Sequence, residues 1–99
     1  PAYVYYLIEA MAAAGAEGGL APDAARELAV QTVLGAAQMV RQTGEDPAEL
    51  RRKVTSPGGT TQAALELLER EGVAESVKRA VHRAAERARE LGALLEPKG

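Results

Sequence analysis

The residues best suited to chemistry lie in one short stretch, residues 54–61, whose sequence is VTSPGGTT. Pro57 fixes its own φ angle and pushes the residue before it towards an extended conformation. Gly58 and Gly59 allow positive φ angles and present backbone amides that no side chain shields. Two threonines follow, at the start of an apolar-periodic run that predicts a helix.

This stretch is open to two interpretations. Free N–H groups and the positive end of a helix dipole would meet at one point, beside the hydroxyl groups of Thr60 and Thr61. Such a point attracts a carboxylate or a phosphate. The other interpretation is an ordinary turn between helices, because Pro-Gly-Gly is a common turn sequence. The pattern alone leaves both interpretations open.

The composition predicts one small helical domain. The chain has 99 residues, of which 46% are apolar, and its three aromatic residues are all tyrosines. A core of Ala, Leu, Val and Met favours closely approaching helices. The net charge of −2 gives no attraction to nucleic acid or to an anionic membrane. The lack of cysteine excludes disulfides and thiolate metal sites, and we expect a cytoplasmic protein.

Two further classes of site or segment are not expected. The longest uncharged stretch, residues 28–40, is shorter than the roughly 20 residues that cross a bilayer, so no membrane span is expected. His82 is the single histidine and has no His or Cys partner for a metal site, so we interpret it as a surface residue. The chain begins at Pro1 rather than Met, which favours a fragment, a processed product or an excised domain.

Apolar periodicity and helix start and stop signals predict an all-α fold of five helices and no strand. The predicted helices cover residues 1–16, 22–43, 47–54, 60–70 and 74–91. Asp46 is the expected N-cap of the third helix, with Glu49 at the capping-box position. Glycines are expected to end the first helix at Gly15, Gly18 and Gly19, and the later ones at Gly44, Gly72 and Gly92. Residues 93–99 are expected to form a tail.

The first two helices carry little charge and predict an oligomer. Glu9 is the only charged residue of the first helix before its glycines, and the centre of the second helix has none. Gly35 would let another backbone approach closely. A helix that is apolar all round must be covered all round, which a small domain cannot do alone. Val77 and Val81 belong to a coiled-coil-like seam on the last helix, so we expect a dimer.

Five segments match a known family in order and spacing. They are PAYV at 1–4, AVQTVLGAA at 29–37, PAELR at 47–51, VTSPGGTT at 54–61 and RAREL at 87–91. Through them, residues 1–92 resemble the C-terminal dimerisation domain of pyrroline-5-carboxylate reductase. The VTSPGGTT segment is the most specific of the five. The resemblance implies that residues 1–99 form a single dimerisation and substrate-binding domain, interlocked with a second copy.

The resemblance also implies an activity for the parent enzyme. Enzymes of this family reduce 1-pyrroline-5-carboxylate to L-proline with NADPH or NADH. An N-terminal Rossmann domain, which this chain does not contain, binds the nucleotide. The helical C-terminal domains interlock into a homodimer, and in many members the dimers assemble into a larger ring. The isolated 99-residue chain is therefore expected to be inactive.

By the same resemblance, the substrate lies against the loop between the third and fourth helices. The residues expected to hold its carboxylate are Ser56, Gly58, Gly59, Thr60 and Thr61. Thr61 is expected to lie nearest the ring nitrogen, where it would position the imine or donate a hydrogen bond to it. Some members carry an acidic residue just before the third helix, and Glu45 is offset by one position from that pattern.

A second hypothesis is a non-enzymatic helical dimerisation or adaptor module that keeps the fold without the chemistry. The scarcity of catalytic side chains and the absence of a nucleotide-binding domain from these residues favour it. A nucleic-acid-binding helical domain is a distant third, because the sequence has no basic stripe interleaved with aromatic residues.

Overall fold

A computed structural model describes residues 1–95, and these residues form five α-helices and no strand. The helices are α1 (Ala2–Glu17), α2 (Pro22–Thr43), α3 (Pro47–Lys53), α4 (Thr60–Arg70) and α5 (Val73–Leu95). The predicted all-α fold of five helices is therefore confirmed. Within residues 1–95, no helix is both long and apolar enough to cross a lipid bilayer.

The chain divides into two compact units, Pro1–Arg52 and Lys53–Gly99. In the first unit, α1 packs against α2. In the second unit, α4 packs against α5. Each unit is thus built on one pair of helices.

The bounds of α2 agree with its sequence signals. Pro22 occupies the first turn, where a missing N–H leaves no helix bond unmade, and Asp23 faces the positive end of the helix dipole. Gly44 ends the helix in the left-handed conformation, with φ of 69°, and its N–H donates to the carbonyl of Val40 at 3.0 Å. The predicted range of 22–43 is confirmed.

The start of α3 confirms one half of the predicted capping box. The carboxylate of Asp46 accepts a hydrogen bond from the N–H of Ala48 at 3.0 Å, so Asp46 is the N-cap. The carboxylate of Glu49 instead pairs with the guanidinium of Arg52, which lies one turn along the same exposed face. The expectation that Glu49 completes the box is not met, because its carboxylate pairs with Arg52 instead.

The sequence predicted that Gly15 helps to end α1, but Gly15 lies inside the helix. The helix continues to Glu17, and the left-handed residue beyond it is Gly19, with φ of 111°. The role of Gly15 is to allow close packing. A Cβ atom added to it would lie 3.1 Å from the Cβ of Ala25 on α2. Ala25 is only 3% exposed, so the two helices are in close contact here.

The predicted end of the last helix at Leu91 was also wrong. Gly92 remains helical, and α5 continues to Leu95. A glycine inside a helix costs only about 1 kcal/mol relative to alanine, and the alanine and leucines that follow favour the helix. Residues 93–95 of the predicted tail are therefore helical, whereas residues 96–99 lie outside the described residues.

Few apolar side chains of residues 1–95 are covered by the chain itself. Only Ala25 and Ala29 are buried, and both are small. Large side chains of α1 and α2 remain open, including Tyr5 at 63% exposure and Leu28 at 55%. Nothing within the described chain lies within 4 Å of a Cβ placed on Gly35, so the close approach predicted there is not made within the chain.

The packing of α1 on α2 leads to a testable expectation. Replacing Gly15 with valine should lower the free energy of unfolding by about 1–3 kcal/mol, because the branched side chain meets Ala25. Urea denaturation followed by circular dichroism measures this change. Gly92→Val is the matched control, since no atom of residues 1–95 lies within 4 Å of a Cβ at that helical position. Equal unfolding midpoints for the two variants would contradict this account of Gly15.

Candidate functional site

The candidate site is built on a tight turn that precedes α4. The N–H of Gly59 donates to the carbonyl of Ser56 at 3.0 Å, which closes a four-residue turn, residues 56–59. Pro57 occupies its second position and Gly58 its third, with φ of 72°. Proline followed by a residue with positive φ is the signature of a type II turn. We call residues 56–59 the SPGG turn.

The two glycines of the SPGG turn have different roles. Gly58 is required for its positive φ, which side chains rarely adopt. Gly59 has φ of −87° and ψ of 179°, an extended conformation open to any residue. What limits Gly59 is space, because a Cβ there would lie 3.2 Å from the carbonyl oxygen of Ser56. Glycine is thus favoured at position 58 by the backbone conformation and at position 59 by a tight contact with Ser56.

The amides of both glycines are used inside the turn, which corrects the expectation that they are bare. The N–H of Gly59 closes the turn on Ser56. The N–H of Gly58 donates to the side-chain carbonyl oxygen of Gln62, on the first turn of α4. Gln62 was not among the residues predicted for this site. The signal was present, because Gln three residues after an N-cap is half of a capping-box pattern.

The open donors belong instead to the first turn of α4. The N-cap is Gly59, which has no side chain to cap the helix. The first backbone bond into the helix runs from the N–H of Ala63 to the carbonyl of Gly59, at 3.2 Å. The N–H groups of Thr60, Thr61 and Gln62 precede that bond, so they have no acceptor within the helix. Together with the helix dipole, they favour a negative charge at this point.

The predicted site residues are thereby brought together on one turn and one helix start. Ser56, Thr60 and Thr61 are exposed, and Gly59 is half-buried beneath them. The arrangement can present hydroxyl groups and backbone N–H groups to an anion. The roles assigned to these residues remain predictions.

Two other residues singled out by the sequence lie elsewhere. Glu45 is half-buried in the first unit, and its N–H donates to the hydroxyl of Thr43 at 3.1 Å, so its functional role remains a prediction. His82 is exposed on α5, as predicted. Among residues 1–95, no group of three or more His, Cys, Asp or Glu side chains could hold a metal ion.

Comparison with protein families gives a match over nearly the whole chain. Residues 1–91 match the family model described as pyrroline-5-carboxylate reductase dimerisation. The chain belongs to this family. The family assigned from the VTSPGGTT segment and its neighbours is confirmed.

Named relatives agree with this assignment. The chain is 53% identical over 91 residues to a pyrroline-5-carboxylate reductase of Glycine max, covering 92% of this chain and 33% of that protein. It is 44% identical over 96 residues to pyrroline-5-carboxylate reductase 1 of Bacillus subtilis, covering 97% of this chain and 32% of that protein. The chain thus spans about a third of the length of the curated relatives it matches, at their C-terminal end.

Solved structures of reductases share the fold. A pyrroline carboxylate reductase of Plasmodium falciparum with NADP bound superposes with a TM-score of 0.89 at 35% identity, covering 93% of this chain and 35% of that one. A pyrroline-5-carboxylate reductase of Coxiella burnetii superposes with a TM-score of 0.88 at 43% identity, covering 92% and 34%.

The backbone of the SPGG turn provides a direct test of its geometry. Gly58→Ala should lower the free energy of unfolding by about 1–2 kcal/mol, because the left-handed conformation disfavours a Cβ. Gly58→Asn should lower it less, since asparagine tolerates this conformation better. Chemical denaturation of the two variants measures both changes. A Gly58→Ala variant as stable as the wild type would contradict the positive φ.

Proposed function

We propose that this chain is the C-terminal domain of an enzyme that reduces 1-pyrroline-5-carboxylate to L-proline with NADPH or NADH. The observation that carries the proposal is the match of residues 1–91 to the dimerisation family. The nucleotide is assigned mainly to the N-terminal region of such enzymes, since the chain spans about a third of its relatives. The NADP in the Plasmodium falciparum structure supports this cofactor class.

A second copy of the chain is the proposed partner of the exposed apolar faces. Tyr5 on α1 is 63% exposed and Leu34, in the uncharged centre of α2, is 48% exposed. Val77 and Val81 on α5 are about half exposed along the seam that the sequence predicts. A homodimer would cover these surfaces. A larger ring of dimers, as formed by many members of the family, is a further part of the proposal.

The substrate carboxylate is proposed to lie at the start of α4. The N–H groups of Thr60, Thr61 and Gln62 are the donors, and the helix dipole adds an attraction of about 0.3–1 kcal/mol for a negative charge. The hydroxyl groups of Ser56 and Thr60 donate beside them. Gly58 and Gly59 shape the turn rather than donate, because their own N–H groups are already bonded.

Catalysis in this proposal is mainly orientation. A bound NADPH or NADH would supply a hydride to the carbon of the C=N bond and be oxidised to NADP+ or NAD+, and the nitrogen would take its proton from water. The chain holds the substrate by its carboxylate so that one face of the ring is presented to the nucleotide. The hydroxyl of Thr61, next along the helix, donates a hydrogen bond to the ring nitrogen and keeps the imine in the reactive orientation.

The assay is reduction of 1-pyrroline-5-carboxylate by the full-length enzyme that contains these residues, followed by oxidation of NADPH and of NADH. Thr61→Val should lower kcat/KM by about 10–100-fold, the effect of losing one hydrogen bond to a charged or reacting group. Thr61→Ser keeps the hydroxyl and should retain most of the activity.

Two results would contradict the proposal. Equal activity of the Thr61→Val variant and the wild type would show that the Thr61 hydroxyl does not assist the reaction. No reduction by the folded wild-type enzyme with either nucleotide would remove the catalytic function, and would favour the helical dimerisation or adaptor module instead.

A further inference from the structure

The side chain of Gln62 makes a contact that the proposed reaction does not use. Gln62 lies on the first turn of α4, and its carbonyl oxygen accepts the N–H of Gly58. The residue is half-buried, whereas its neighbours Thr60 and Thr61 are exposed. The side chain is therefore folded back over the SPGG turn instead of extending into solvent.

This contact is a capping box displaced by one residue. In the usual arrangement, a glutamine at the third helical position bonds the N–H of the N-cap residue. Here the N-cap is Gly59, and its N–H already closes the turn on Ser56. The side-chain oxygen of Gln62 instead accepts the N–H of Gly58, the residue before the N-cap. Two successive amides of the turn are thus fixed, each by a different acceptor.

The bond of Gln62 to Gly58, rather than to the N-cap, affects how an anion could bind at the start of α4. A serine or aspartate N-cap would place a side-chain oxygen on the N–H groups of the first turn and compete with an anion for them. A glycine N-cap leaves those donors open. It also gives the turn two adjacent glycines, Gly58 and Gly59, whose backbone is flexible unless another group holds it. Gln62 supports the turn from the helix side and occupies only the N–H of Gly58, so the first-turn donors of α4 remain available.

We propose that Gln62 is a positioning residue for the substrate carboxylate. The inference rests on the proposed function. Through Gly58, the Gln62 side chain holds the SPGG turn in the conformation that keeps Ser56 against Gly59, the N-cap of α4. Without that support the two glycines must be ordered when the substrate binds, and this ordering weakens binding.

The kinetic test uses the full-length enzyme and the variant Gln62→Leu, which removes the acceptor at nearly equal size. Leucine and glutamine have similar helix propensities, so α4 keeps its intrinsic stability. The KM for 1-pyrroline-5-carboxylate should rise about fivefold to tenfold, as expected for the loss of one hydrogen bond that orders the site. The KM for NADPH and kcat should each stay within about twofold, because the loss affects substrate binding in the ground and transition states equally.

The matched control is Gln42→Leu, the same substitution at an exposed position near the end of α2. It should leave both KM values and kcat unchanged. A purely structural role of Gln62 would lower the unfolding midpoint while leaving the substrate KM unaltered, and that result would overturn the inference.

A second readout tests the hydrogen bond itself. Hydrogen–deuterium exchange of the Gly58 amide, followed by NMR, should be faster in Gln62→Leu than in the wild type. Gln62→Glu keeps an acceptor oxygen and should restore slow exchange. Unchanged exchange in Gln62→Leu would overturn the inference.

The outcomes also separate this inference from the proposed function. If the wild type is active and Gln62→Leu has an unaltered substrate KM, the positioning role of Gln62 is overturned. The proposed reductase function is not affected by that result. If the wild type does not reduce 1-pyrroline-5-carboxylate, the proposed function is overturned. The positioning role of Gln62 is then overturned as well, because it rests on that function.

Discussion

Apolar surface that the chain cannot cover by itself is the constraint on which the rest of the structure depends. Among residues 1–95, only Ala25 and Ala29 are buried, while Leu28, Leu34 and Met39 are each about half exposed on α2. Fully burying one such side chain is worth about 1.5–3 kcal/mol. The net stability of a small domain is only about 5–15 kcal/mol, so leaving several such side chains in water is a large loss. The proposed second copy would cover them and so stabilise the fold.

The small residues of the chain follow from the same constraint. Within the first unit, Gly15 lets α1 approach Ala25 on α2, while many large side chains of both helices stay exposed. Gly35 has open space beside it in the described chain. In the second unit, Gly59 leaves the start of α4 uncapped. Gly15 thus serves packing within the chain, whereas Gly35 and Gly59 each leave a surface open.

Local signals in the sequence predicted most of the fold, including the SPGG turn and the start of α4. Pro22 and Gly44 bound α2, and Asp46 caps α3, because these effects act within a few residues. The packing role of Gly15 depends on a residue of another helix, which no local pattern reveals. Gln62 carried a capping-box signal, but its acceptor role required knowing that the Gly59 amide was already used. The ligand's identity came from family resemblance, since the turn alone favours any anion.

Sedimentation velocity of the 99-residue chain, combined with thermal unfolding across a concentration series, tests the central claim most directly. The claim is that a second copy covers the apolar faces of α1, α2 and α5. It predicts a dimer at micromolar concentration and an unfolding temperature that rises with protein concentration. A folded monomer at micromolar concentration, with an unfolding temperature independent of concentration, would contradict it.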